Sequence, residues 1–571
     1  MYCRVFACDF DGTGATNGHL APELAAALGA ARAQGFTTML VTGRVHEEVE
    51  ALCADLSVFD AVVAENGAVV CLPGAQRTIE IGTPFPERLL GELRQHGIPF
   101  HAGAVIVGTW DRHASQVLEL IRQLGIDAQL IFNREAMMLL PSGVNKAVGV
   151  QRALAELGRS ECNLVAFGDA ENDLSLFAGA AVAVAARDSV PAVAAAADVR
   201  LKEPGGAGVA RFIYRVLDQG GMVPTPPRHD LVLGVAADGT PAVIPASGVN
   251  VMVSGDPRSG KSWLSGLVAE ALVERGYRLC VIDPEGDYLA LGARPQVLAL
   301  GHEIPLPSPG VVPRLFCDQQ ISLVLILASL PIAAQVQYVD AVMGELDGCG
   351  RFTGIPHWVL VDEAHYFFHA PASTAMRFSR CTNFLFATYR PSLVAADVMG
   401  VVNAHLITHT RVDEERYFIN GLLRERGPKD LDVAAALAGI GKPQAGLLLE
   451  DPEQPRWSVF TPGARVTAHA HHARKYADTY LPDHKAFHFQ HTDGSPVAAH
   501  NVIEFHSAVQ TVLSASLRHH LTNGDFSRWI AGVIGDEQLA RGLRKLERTV
   551  AGGASPDRGE ILAHIEDHYQ I

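Results

Sequence analysis

Four short stretches in the N-terminal third carry the side chains that phosphoryl transfer requires. VFACDFDGT is an apolar strand that delivers Asp9 and Asp11 at its C-terminal end, the end at which parallel α/β sheets bind ligands. A spacing of two residues puts both carboxylates on one side of an extended strand, so one can attack phosphorus while the other handles a proton. TTMLVTGR ends a second strand in Thr42, a hydroxyl for a phosphoryl oxygen, and GVNKA opens a helix at Lys146, a cation for the charge on nucleophile and phosphate. NLVAFGDAEND ends a further strand in Asp169, followed by Asn172 and Asp173. Such an oxygen-rich set suits Mg²⁺, which prefers carboxylates, water and substrate phosphate.

A second phosphate-binding pattern lies mid-chain. Residues 249–263, VNVMVSGDPRSGKSW, read as a buried strand, a glycine-rich turn and the start of a helix. Within them Gly255, Asp256, Pro257, Arg258, Ser259, Gly260, Lys261 and Ser262 match G-x-x-x-x-G-K-[ST], a loop whose N–H groups approach a phosphate chain without Cβ obstruction. Lys261 is expected to reach the β- and γ-phosphates of ATP and Ser262 to hold Mg²⁺, with the positive end of the helix aimed at the same anion. The strand in PHWVLVDEAHYFF ends in Asp362, placed to order the water on Mg²⁺, and Glu363, placed to polarise the attacking water. NFLFATYRPS and HLITHTRVDEE are further strands, ending near Arg390 and Arg411, candidate cations for the nucleotide.

The four N-terminal stretches, in this order, resemble the motifs of the haloacid dehalogenase (HAD) superfamily of phosphatases. That resemblance implies Asp9 as the nucleophile that forms an aspartyl-phosphate and Asp11 as general acid and base. It implies Thr42 and Lys146 on phosphate, and Mg²⁺ on Asp9, Asp169 and the backbone carbonyl of Asp11, supported by Asn172 and Asp173. AENGA, around residues 65–68, is similar to the Cof-like, sugar-phosphatase branch with a cap between the second and third motifs, which implies a small phosphorylated substrate. VSGDPRSGKS, VIDPEGDY, VLVDEAH and ATYRPS together resemble the HerA/FtsK-like P-loop ATPases. This second resemblance implies a homo-oligomer, usually a hexameric ring, in which an arginine such as Arg390 or Arg411 completes a neighbour's site. Tyr389 stands where that family commonly has glutamine, and the family's larger N-terminal barrel is replaced by the phosphatase-like part. DNA translocation therefore does not follow from the likeness, and a DNA motor whose phosphatase trims phosphorylated ends or nucleotides is the alternative to a metabolite phosphatase with an ATPase attached. An ATP-driven assembly switch without productive turnover is a third reading.

These residues need α/β scaffolds to hold them. At 571 residues the chain exceeds one core and is expected to hold several domains. The expected fold is α/β: a HAD Rossmann-like core over residues 1–217 with a small α/β cap at about 84–140, a RecA-like P-loop ATPase domain over 218–463, and a small helical C-terminal module over 464–571. The Gly- and Pro-rich DQGGMVPTPPRHD marks the first boundary, and LVLGVAADGTPAVIP reads as a hairpin turning at Asp238 and Gly239. In the cap, Trp110, Arg112, His113, Asn133 and Arg134 sit near turns as candidate substrate contacts or plain surface.

Composition narrows the partners. A net charge of −16 disfavours a nucleic-acid surface while leaving room for a local basic channel. Nine cysteines without a C-x-x-C pair fit a reduced chain, and the N-terminus lacks a signal-peptide layout, so a cytoplasmic protein is expected. The longest uncharged run, residues 319–339, reads as a strand and a Pro-initiated helix rather than a membrane span. The last stretch holds 12 of the 24 histidines. His469, His471, His472, His519 and His520, and the helical pairs His484 with His488 and His564 with His568, invite a metal reading, but no cysteine or H-E-x-x-H accompanies them, and solvated helix faces or a subunit contact account for them more simply.

Overall fold

The computed structural model describes the chain except residues 17, 53–55, 134, 370–382, 452–453, 468–480, 482, 491–495, 535, 556 and 570–571. Near its start VFACD forms a fully buried strand, Val5–Asp9, because a parallel strand covered on both faces needs apolar side chains on both. Phe6 and Cys8 join one hydrophobic cluster and Val5 and Ala7 the other. The helices Pro22–Ala33 and Gly205–Asp218 cover the first face, and Lys146–Glu156 with Leu174–Gly179 cover the second. The eight-stranded sheet runs in the order Val199–Arg200, Val182–Ala185, Leu164–Gly168, Val5–Asp9, Thr37–Val41, Ala61–Ala64, Val69–Leu72, Arg77–Glu80. Its first six strands are parallel and the last two antiparallel. The strands ending in Asp9, beside Thr42 and before Asp169 are therefore adjacent.

Between residues 84 and 140 the expected helices form as Glu87–Gln95 and Ala114–Leu124, packed on a four-stranded antiparallel sheet. Asn133 closes the strand Gln129–Asn133, while Arg134 lies outside the described residues. Trp110 is exposed, at the end of Val107–Trp110.

The middle of the chain builds an eleven-stranded sheet. Seven strands are parallel, in the order Ala404–Ile407, Val251–Ser254, Asn383–Thr388, Trp358–Val361, Leu279–Asp283, Ser322–Ile326, Val297–Leu300. Ala445–Leu449, Arg456–Pro462 and the hairpin Leu231–Ala236 with Pro241–Ile244 extend it in antiparallel fashion. The uncharged run resolves into the strand Ser322–Ile326, Pro331 as N-cap, and the helix Ile332–Thr353; no helix among the described residues is long and apolar enough to cross a membrane. The strand Val297–Leu300 is an addition to the sequence reading, since four residues carry too short a pattern to stand out.

Among its described residues the C-terminal stretch packs five helices and a β-hairpin, Phe487–Gln490 with Pro496–Ala499, around Phe487, Phe505, Phe526 and Trp529. The hairpin corrects the expectation of helix alone, and with it the pairing of His484 and His488. His484 lies in a short turn and His488 in a strand, so the two do not share a helix face. His564 and His568 do lie on one helix, where His568 Nε2 is 2.7 Å from Asp536 Oδ2. His519 and His520 gather with Asp525, and the His520 ring packs against Phe487, Phe489 and Phe526. His469, His471 and His472 lie outside the described residues.

The eight-stranded and eleven-stranded sheets meet through a buried polar link. Asn163 Nδ2 donates to the Tyr2 carbonyl, and its Oδ1 lies 3.0 Å from His357 Nε2. Burial, with Arg278 nearby, brings His357 down to about 3, so the imidazole is neutral and Nε2–H donates across this contact.

Candidate active sites

The first site assembles where the central parallel strands end. Lys146, the first residue of its helix, is 1% exposed, and its Nζ donates to Asp9 Oδ1 at 2.5 Å and to Asp173 Oδ1 at 2.6 Å. Asp173 Oδ2 accepts from the N–H groups of Asp169 and Ala170, and the Thr13 hydroxyl donates to Asp169 Oδ1 at 3.1 Å. Gly12, at φ +82°, permits this packing, because a Cβ there would stand 2.2 Å from Asp169 Oδ2. Thr42 is buried beside these groups, with Oγ1 accepting from the Arg44 N–H.

Asp9 and Asp11 differ in burial and in partner. The chain leaves the strand at Asp9 and turns through Phe10 to Gly14, so the two-residue periodicity of a strand no longer applies. Asp9 points inward at 5% exposure, while Asp11 lies in a bidentate pair with Arg44, at 2.7 Å for both bonds. Arg44 was overlooked in the sequence, although it directly follows Thr42 and Gly43.

Oxygen atoms of Asp9, Asp169 and Asp173 lie within 4.8 Å of one another, and the Lys146 ammonium is bonded to two of these acids. Burial and the charge of Asp173 push Asp9 well above the usual carboxylate range, against the opposing pull of Lys146. Burial works to lower Lys146, but Asp173 and Asp9 outweigh it and hold its ammonium above the ordinary value. Asn172 Oδ1 is a buried oxygen without a hydrogen-bond partner among the described residues. This hard, all-oxygen donor set fits Mg²⁺.

The AENGA stretch contributes in a way its residue types alone do not reveal. Glu65, at φ +54° and 1% exposed, accepts from the N–H groups of Ala104, Val105 and Ile106 at 2.8, 2.9 and 3.0 Å. It fastens the cap segment to the core, because a carboxylate receiving three N–H bonds stays buried without a cationic partner. Asn66 Oδ1 accepts from Asn172 Nδ2 at 2.9 Å, joining the same stretch to the Asp169 loop. The Arg112 guanidinium stands over the Trp110 ring at 5.5 Å, with Arg112 Nε 3.3 Å from His113 Nε2.

The second site surrounds residues 255–262. Gly255, at φ +147°, brings the loop so close to the next strand that a Cβ would stand 1.9 Å from Thr408 Oγ1. Lys261 begins the helix Lys261–Glu274, its Nζ donating to the Asp256 carbonyl at 3.1 Å, and the Ser262 hydroxyl donates to Asp287 Oδ2 at 3.0 Å. Asp256 Oδ2 accepts from the Arg411 N–H, Pro257 completes the turn, Ser259 Oγ is hydrogen-bonded to Thr408 Oγ1, and Gly260, at φ +107°, caps the helix. Arg258 Nη1 donates to the Ile534 carbonyl of the C-terminal stretch.

Asp362 and Glu363 leave the strand Trp358–Val361, one strand removed from Val251–Ser254, and both are buried. Glu363 lies at φ +44°, with its Oε2 3.5 Å from His365 Nδ1, which is also 2.9 Å from Thr388 Oγ1. The Tyr389 ring stands 4.7 Å from the His365 ring and 5.8 Å from Lys261 Nζ. Arg390 Nε is 3.3 Å from Glu415 Oε1, and Arg411 Nε donates to His409. A cavity of about 530 Å³ opens beside the loop, lined by Lys261, Trp263, Thr408, Lys442, Pro443 and Pro462 among others.

Comparison with known proteins bears on the first site. The haloacid dehalogenase-like hydrolase family model matches residues 6–96 and 114–213. A phosphoglycolate phosphatase of Aeropyrum pernix is 30% identical over 233 residues, 38% of this chain and 93% of that protein. One of Sulfurisphaera tokodaii is 28% identical over 187 residues, 32% of this chain and 80% of that protein. Among solved structures, a haloacid dehalogenase-like hydrolase from Bacteroides thetaiotaomicron is 18% identical, with a TM-score of 0.34, over 38% of this chain and 99% of that one.

Proposed function

Because the chain belongs, through its N-terminal part, to the haloacid dehalogenase-like hydrolases, we propose that residues 1–217, with the cap at about 84–140, hydrolyse a small phosphomonoester. The carrying observation is Lys146 held between Asp9 and Asp173 at the strand ends. Asp9 attacks phosphorus and the ester P–O bond breaks. Asp11 gives a proton to the leaving oxygen, parting from Arg44 to do so, and then takes one from the water that cleaves the aspartyl-phosphate. Thr42 and Lys146 bind phosphoryl oxygens. Asp9, Asp169 and the Asp11 carbonyl would hold Mg²⁺, with Asn172 and Asp173 behind them, and the ion supplies charge neutralisation at phosphorus. The relatives' names make 2-phosphoglycolate the first substrate to try, with sugar phosphates beside it.

For residues 218–463 the reading is an ATPase, with 464–571 as an attached module. Lys261 and Ser262 open a helix at a strand end, with Asp362 and Glu363 one strand away, an arrangement suited to a nucleotide phosphate chain and Mg²⁺. Its homo-oligomeric form follows from the ATPase resemblance, and solution mass with and without ATP and Mg²⁺ checks it.

Free phosphate released from a phosphomonoester panel tests the main reading. Asp9→Asn should lower that rate by about 10⁴-fold or more, as removing a nucleophile does, and leave ATP hydrolysis unchanged. Lys261→Ala and Glu363→Gln should do the reverse. Wild-type protein inert toward every small monoester would defeat the phosphatase proposal, and ATP turnover indifferent to Lys261 would defeat the other.

A further inference from the structure

Cys317, on the helix Val312–Gln319, and Cys349, on Ile332–Thr353, bring their Sγ atoms within 3.0 Å of each other. Both thiols are partly buried, as is Cys162, whereas Cys3, Cys8, Cys71 and Cys280 are buried, and neither lies on the strand ends that carry the two candidate sites. We propose that this pair is a reversible oxidation site, at which an oxidant of the peroxide class joins the two thiols in a disulfide that ties the two helices together.

A disulfide needs its sulfurs about 2.05 Å apart, so an approach of about 1 Å closes the bond. Cys349, which also lies 3.5 Å from the Thr353 hydroxyl, is the attacking sulfur in this proposal. Its contact with the Cys317 thiol holds it below the ordinary thiol value against the opposing effect of burial, and Thr353 and the positive charge of Arg159 act in the same sense as that contact. Burial instead pushes Cys3 and Cys162 up to about 12, which keeps them as the poorly nucleophilic thiol at neutral pH.

The Cys349 thiolate attacks one peroxide oxygen. An S–O bond forms, the O–O bond breaks, and the departing hydroxide takes a proton to become water. Cys317 then gives up its proton and attacks the sulfenyl sulfur, so that S–S forms, S–O breaks and a second water leaves. Two thiols have lost two protons and two electrons, and the peroxide has been reduced to two waters.

The position couples the pair to the N-terminal sheet. Gln320, the C-cap of the Cys317 helix, donates to the Arg159 carbonyl at 3.1 Å. Arg159 Nε donates to Thr37 Oγ1 at 2.8 Å, and Tyr2 Oη donates to the carbonyl of Arg351, two residues from Cys349. The disulfide therefore stiffens the face against which the phosphatase-like sheet packs.

Full-length protein treated with hydrogen peroxide, alkylated and mapped by peptide mass tests the assignment. Wild type should lose two hydrogens, yield one joined peptide containing Cys317 and Cys349, and recover both thiols with dithiothreitol. Cys317→Ser should leave a sulfenic acid at Cys349 that dimedone captures, and Cys349→Ser should leave Cys317 as a thiol. Untreated, both variants should release phosphate at the wild-type rate. Wild-type protein in which both cysteines remain alkylatable, pair with other cysteines, or over-oxidise separately overturns the proposal, and this mapping needs no variant to fold.

Discussion

The Asp9 site and the loop at residues 255–262 both occupy the carboxyl ends of parallel strands, but they store charge differently. In the first, a buried ammonium already bridges two buried carboxylates. In the second, Lys261 rests on a carbonyl of its own loop and Ser262 on Asp287. The first site is built from charges that each need the others to stay buried. In the second, the Ser262 hydroxyl and a carboxylate form a bond between one neutral and one charged partner. A charged cluster at the ends of parallel strands can thus be part of what stabilises the fold.

Replacing the two lysines separately gives the largest contrast. Lys146→Ala leaves Asp9 and Asp173 buried without their cation and should cost about 3–5 kcal/mol, read as a lowered urea midpoint at neutral pH. Lys261→Ala should cost no more than about 1–2 kcal/mol while removing ATP binding measured by titration calorimetry. Equal losses of stability would erase the distinction.

Glu65 sharpens the comparison within the first body. Glu65→Ala strands three N–H groups of the cap segment and should cost about 2–3 kcal/mol. With the cap less firmly seated, KM should rise more than kcat falls. A variant with an unaltered melting curve and unaltered KM would show that the three bonds do not hold the cap.

The smallest effect is a dependence on pH and Mg²⁺. Asp9 has its folded value raised above the ordinary carboxylate value of about 3.9. Its contribution to stability is therefore complete below that value and is lost as pH rises through the elevated one, because ionising it inside the fold is costly. Mg²⁺ favours the ionised form, so the gain in Tm on adding Mg²⁺ should be near zero at about pH 4 and grow toward neutrality. Asp9→Asn should remove the pH-dependent part, whereas the same Mg²⁺ gain at every pH in wild type would contradict the electrostatic account.

The chemistry of the first site was legible because its residues are local to strand ends. VFACD, TTMLV and NLVAFG are buried apolar runs bounded by polar residues, and such runs announce both the strand and the position of the next carboxylate. What local pattern could not supply was direction. Asp11 follows Asp9 by two residues, yet the chain turns at Phe10, and Asp11 is paired with Arg44 while Asp9 is paired with Lys146. Glu65 and Asn66 read only as part of a family-like stretch, since the cap backbone and the Asn172 amide that they hold are remote in sequence.

The sequence by itself determined the order of the strands along the chain, the residue types at their ends and the loop at 255–262, because each depends on neighbours within a few residues. Only the tertiary structure decided that Lys146 bridges Asp9 and Asp173, that Ser262 meets Asp287, that His488 belongs to a strand, and that Cys317 faces Cys349. Those contacts join residues from 25 to 137 positions apart or depend on the packing of a whole module. Burial of charge and the close packing of helices, which no local pattern encodes, select them.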